Sequence, residues 1–89
     1  MKKAIHISVQ GRVQGVGFRY HSRAKAQETG VTGFVRNLSD GSVYIEAEGE
    51  ESALEMFKLW VSKGPSWANV TSMDISPASL TGFENFEIF

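Results

Sequence analysis

Cysteine is absent from the 89 residues. That excludes a disulfide scaffold, cysteine-ligated zinc, iron–sulfur clusters and thiol catalysis. Long apolar runs are missing as well: no unbroken stretch of hydrophobic residues exceeds three, so no helix of this sequence is expected to span a membrane. The basic start, Met1-Lys2-Lys3, resembles the opening of a secretion signal, but His6, Ser8 and Gln10 interrupt the apolar stretch such a signal needs. The cytoplasm is therefore the expected location. Charge of one sign is not in excess either. A formal net charge of −1 at pH 7 predicts no bulk attraction to nucleic acid or to a membrane surface.

What is present fits one small globular domain over residues 1–89, below the ~150 residues typical of a domain. Hydrophobic residues make up 42% and charged residues 21%, which is too apolar for disorder. The charge is unevenly distributed: residues 1–40 carry a formal +5 and residues 41–89 a formal −6. Any anion site is thus expected in the first forty residues, unless the two halves simply interleave on folding.

Periodicity predicts the elements. Ile5, Ile7 and Val9 alternate with His6, Ser8 and Gln10, the period of a half-buried strand ending near Gly11 to Val13. Tyr20 to Thr29 is rich in helix formers, and Gly30 suits the left-handed stop that follows a helix. Val31 to Asn37 reads as a second strand, Asp40-Gly41 as a hairpin turn, and Ser42 to Glu48 as a third strand. In that strand Val43, Ile45 and Ala47 share one face, with Tyr44, Glu46 and Glu48 on the open face. Ala53, Met56, Phe57, Trp60 and Val61 follow helical spacing, Ser52 and Glu55 have the spacing of a capping box, and Gly64-Pro65 ends the helix. Val70 to Ile75 and Phe83 to Phe89 supply two more strands, with Pro77 between them. The resulting order, βαββαβ plus a short C-terminal strand, is the α+β ferredoxin-like sandwich: an antiparallel sheet with two helices on one face. The helices are expected over Ile5, Ile7, Val9, Val43, Ile45 and Ala47.

The chemically informative stretch is Gln14-Gly15-Val16-Gly17-Phe18-Arg19, between a strand and a helix. Glycines permit backbone in which successive N–H groups converge, and the helix start adds unpaired donors and the positive end of a dipole. Arg19 adds a planar fork of donors suited to a phosphoryl group. The same spacing also fits a plain glycine turn beside a surface arginine. A dinucleotide fingerprint is excluded, because Tyr20 stands where its third glycine belongs, and no Gly-Lys-Ser/Thr follows to make a Walker loop.

Gly11 to Arg19 (GRVQGVGFR) resembles the first signature of the acylphosphatase family. Gly33-Phe34-Val35-Arg36-Asn37 with Asp40-Gly41-Ser42-Val43 resembles the second, and Gly64-Pro65, Ala68, Val70 and Gly82-Phe83 extend the likeness along the chain. Two positions depart from the pattern. Tyr44 stands where members usually carry glutamate, and the chain closes on Ile88-Phe89 where an arginine–tyrosine pair is common.

The resemblance implies hydrolysis of acyl phosphates to a carboxylate and inorganic phosphate. It assigns phosphate binding to Arg19 with the loop Gly15, Val16, Gly17 and Phe18, and orientation of the attacking water to Asn37. This division of labour agrees with the chemistry of phosphoryl transfer, in which charge gathers on equatorial oxygens that fixed donors can stabilise. A carboxylate, with a conjugate-acid pKa of ~4, leaves without protonation. No cofactor and no metal are expected, the expected partner is a small-molecule acyl phosphate substrate, and the expected state is a monomer. His6, His21 and Arg23 read as surface groups, Arg36 alternates away from Asn37, and Trp60 reads as core, while Trp67 fits either a cleft edge or simple packing. The competing readings are a noncatalytic anion-binding module and an RNA-binding sheet. The second is disfavoured by Glu46 and Glu48 on the open face.

Overall fold

Alternation at the start of the chain becomes β1 (Lys2–Arg12), followed by α1 (Phe18–Thr29), β2 (Thr32–Asn37), β3 (Val43–Glu50), α2 (Glu51–Val61), β4 (Asn69–Ala78) and β5 (Phe86–Ile88) in a computed structural model that describes residues 1–89. The strands form one sheet in the order β4-β1-β3-β2-β5. All neighbours are antiparallel except β5, which runs parallel to β2. This is the ferredoxin-like arrangement, with a mixed edge where a purely antiparallel sheet was expected.

Register explains what the helices cover. Ile7 pairs with Ile45 and Val9 with Val43 between β1 and β3, while Val35 pairs with Ile45 and Asn37 with Val43 between β2 and β3. Cross-strand partners share a face, so Ile7, Val9, Val35, Val43, Ile45 and Ala47 present one apolar surface. Phe18 and Ala26 of α1 and Leu54, Phe57 and Val61 of α2 join them in a single buried cluster. Asn37 ends the row Val9–Val43–Asn37 on this same face, which is why its side chain projects on the helix side.

Several expectations are corrected. Helix α1 begins at Phe18, earlier than Tyr20, because Gly17 takes the left-handed conformation just before it. In α2 Leu54 is buried alongside Phe57 and Val61, whereas Met56 is 57% exposed; the helix leans towards the Ala53/Leu54 side of its stripe. The Ser52–Glu55 capping box does not form, since the helix starts at Glu51 and no side chain caps it. Pro77 lies inside β4 opposite Ile5, which is tolerated because β4 is an edge strand. Strand β5 is shorter than Phe83 to Phe89, running only from Phe86 to Ile88.

Glu48 is the largest departure. It was expected on an open face and is instead only 2% exposed. The connection from β4 to β5 approaches that face, and the Glu48 carboxylate accepts the N–H groups of Thr81, Gly82 (3.1 Å) and Phe83 (3.4 Å). Burial pushes this carboxyl up, but the three donors outweigh it and hold the group below the usual glutamate range.

Candidate active site

The loop between β1 and α1 is fixed from both ends. The Gln14 amide donates to the carbonyls of Leu38 (2.8 Å) and Ser42 (2.9 Å), tying the loop to the β2–β3 hairpin. That hairpin is closed by Leu38 N–H on Ser42 O (2.9 Å) and by Asp40, whose carboxylate accepts both the hydroxyl and the N–H of Ser42. The Ser42 hydroxyl, and after it the Ser42 N–H, holds the Asp40 carboxyl below its usual range. At the other end Phe18 is buried with its ring centroid 5.7 Å from Trp60. The chain after α2 closes on it so tightly that a Cβ at Gly64 would lie 2.6 Å from the Phe18 ring.

Between these anchors Gly15 (φ 72°) and Gly17 (φ 80°) are left-handed, while Val16 is not. Alternating handedness of this kind turns successive N–H groups towards one point. Gly17 O accepts the first helical bond, from His21 N–H at 3.0 Å. The N–H groups of the first turn, Phe18 and Arg19 among them, have no intrahelical acceptor. No acidic side chain occupies that turn, so its positive dipole end is not neutralised locally. The Arg19 guanidinium donates through Nη1 to the Phe89 carbonyl at 2.9 Å, bracing the side chain against the end of β5.

Gly15, Gly17, Phe18, Arg19 and Asn37 line a single cavity of about 240 Å³. The Val16 side chain is not part of its wall and packs against the core. Asn37 Oδ1 is buried and has no hydrogen-bond partner in the protein. Such an atom costs ~1–3 kcal/mol when left unpaired, an arrangement that packing alone does not call for.

The remaining candidates lie elsewhere. His21 is exposed and its ring meets Tyr20 edge-on at 5.2 Å. His6 sits on the far face, 3.6 Å from Glu46. Arg36 stacks over Tyr44 on that same face at 5.6 Å. Arg23 does not line the cavity, Trp60 packs against the core, and Trp67 is 76% exposed. No group of three or more His, Cys, Asp or Glu residues converges.

A family model for acylphosphatases matches residues 5–88. The chain belongs to the acylphosphatase family. It is 50% identical over 86 residues to an acylphosphatase of Thermotoga maritima, covering 97% of this chain and 96% of the relative. Its fold superposes on the crystal structure of acylphosphatase from Bacillus subtilis with a TM-score of 0.95 at 41% identity, covering 100% and 99% of the two chains. An acylphosphatase from Coxiella burnetii gives the same TM-score of 0.95 at 35% identity over 99% of this chain and 93% of its own. Membership makes the protein a hydrolase of acid anhydrides whose substrates are acyl phosphates.

The two departures from the family pattern have different consequences. Tyr44 lies on the face away from the cavity, where its hydroxyl donates to Glu46 at 2.7 Å. Burial, followed by that carboxylate, pushes the phenol up to about 12. Ile88 and Phe89 do reach the site, one as cavity wall and the other as the acceptor for Arg19. Their part, and the Gln14 clamp, had no local signal. Gln14 is legible only as a two-donor amide beside a loop, and its acceptors lie more than twenty residues away.

Proposed function

We propose that residues 1–89 act as a single monomeric, metal-independent acylphosphatase domain in the cytoplasm, with Arg19 and the N–H groups of the Gly15–Arg19 loop binding the phosphate and Asn37 orienting the attacking water. The supporting observation is the meeting of the glycine loop, the guanidinium and the unpaired Asn37 amide oxygen in one cavity. Every residue the proposal uses lies in one chain.

The chemistry follows from those groups. Water attacks phosphorus, the bond from phosphorus to the acyl oxygen breaks, and a carboxylate leaves with the bonding electron pair. One water proton passes to a phosphate oxygen, so an acyl phosphate dianion and water give a carboxylate and dihydrogen phosphate. A neutral amide is too weak a base to take that proton; its oxygen accepts a hydrogen bond and fixes the line of attack. Negative charge on the equatorial oxygens meets donors already held in place by Phe18, Gln14 and Phe89, so little reorganisation accompanies the reaction.

Hydrolysis of benzoyl phosphate, followed in the ultraviolet with EDTA present, tests this. Turnover is expected to survive the chelator. Arg19→Ala should lose ~10²–10³ or more in rate and bind inorganic phosphate more weakly. Asn37→Ala should lose turnover while inorganic phosphate still binds as before. Equal loss of phosphate binding in both variants would contradict the separate roles.

A further inference from the structure

Four apolar residues line the same cavity as Arg19 and Asn37: Val13, Phe18, Tyr20 and Ile88. Two of them are buried in the core, Val13 at 1% and Phe18 at 2% exposed, and have no surface to offer a ligand. Tyr20 and Ile88 do. Tyr20 follows Arg19 on the first turn of α1 and is 61% exposed, with no hydrogen bond from its hydroxyl to the rest of the chain and its ring held edge-on by His21. Ile88 comes from β5, is partly exposed, and pairs with Val35 in β2, so it shares the helix-side face on which Asn37 lies. Both side chains offer mainly apolar carbon to the cavity that Arg19 and Asn37 line.

We propose that Tyr20 and Ile88 form the subsite for the acyl group, and that they select acyl phosphates with apolar or aromatic acyl groups over small polar ones. The inference rests on the phosphate-binding reading above. A phosphate held in the loop leaves its acyl substituent to extend out of the cavity, and the apolar surface there belongs to these two residues. An exposed aromatic ring and a branched aliphatic chain gain by covering apolar surface, and the Tyr20 hydroxyl is the one polar group the pair brings.

The test compares kcat/KM for benzoyl phosphate and acetyl phosphate in the wild type and in Tyr20→Ser, Tyr20→Phe and Ile88→Thr. The wild type is expected to favour benzoyl phosphate. Tyr20→Ser should reduce the benzoyl-to-acetyl ratio by roughly tenfold and Ile88→Thr by roughly threefold, the scale of a small change in an apolar contact. Tyr20→Phe keeps the ring and should keep the ratio, and inhibition by inorganic phosphate should change little in all three. A ratio unchanged in both Tyr20→Ser and Ile88→Thr overturns the proposal. So does a matched fall for both substrates, which would mean that the residues only support the loop. A wild type that hydrolyses neither substrate overturns the underlying function as well, a result distinct from an unchanged ratio.

Discussion

Arg19 and Asn37 differ in how they are held, and the difference predicts how each tolerates change. Arg19 is braced from outside, through Phe89, and brings a charged guanidinium to the cavity wall. Asn37 is set by strand register, opposite Val43 at the end of β2, and presents an uncharged amide. Substituting Asn37→Asp keeps size and register but adds a negative charge beside a dianion. At a few ångströms and an effective dielectric near 20 that repulsion amounts to several kcal/mol before screening. Binding of inorganic phosphate should therefore weaken tenfold or more in Asn37→Asp, measured as a Kd by titration calorimetry at neutral pH. In Asn37→Ala it should hold. Phosphate binding undiminished in Asn37→Asp would mean that the side chain lies farther from the phosphate than the cavity implies.

At the scale of elements, the connection between β4 and β5 is organised by one buried carboxylate. Glu48 collects three backbone N–H groups from Thr81 to Phe83. This connection leads directly into β5, and so to Ile88 and Phe89 at the site. Because the Glu48 carboxyl stays ionised to lower pH in the fold than its ordinary value of 4.5, its contribution to stability is complete above that value. It is lost as pH falls through the lower folded pKa. Thermal unfolding should show this: Glu48→Gln should melt below the wild type at pH 7, and the gap should narrow on acidification below about pH 4. A constant gap across that range would show that the carboxylate charge is not what the N–H groups stabilise. The same element explains an expectation that failed. Alternation along β3 put Glu48 on an open face, and nothing local in the strand signals that residues 81–83 return to cap it.

At the scale of the whole molecule, one cluster of fourteen residues joins both helices to the sheet. Phe57 is fully buried within it and 5.8 Å from Phe86, so it links α2 to the strand that supports the cavity wall. Removing a buried phenylalanine side chain costs ~3–5 kcal/mol, against a total of ~5–15 kcal/mol for an ordinary domain. Phe57→Ala should shift the denaturant midpoint by a corresponding amount with little change in slope, read by guanidinium unfolding followed by circular dichroism. A change below ~1 kcal/mol would mean that the cluster is not a single cooperative core.

The sequence by itself determined most elements and one half of the site. Period 2 in Ile5 to Val9, the helical stripe of α2 and the glycines around Val16 are local signals, because backbone conformation and the choice of a buried face depend on near neighbours. Resemblance to two family signatures is what singles out Arg19 and Asn37 in the sequence. Tertiary structure alone decided that these residues share a cavity, that Gln14 clamps the loop to the hairpin, that β5 runs parallel to β2 and delivers Ile88, and that Glu48 is enclosed. Each depends on contacts between segments far apart along the chain, and the entropy of closing those loops is met only when the whole core forms. A residue's neighbours in sequence carry no record of partners that only folding brings near.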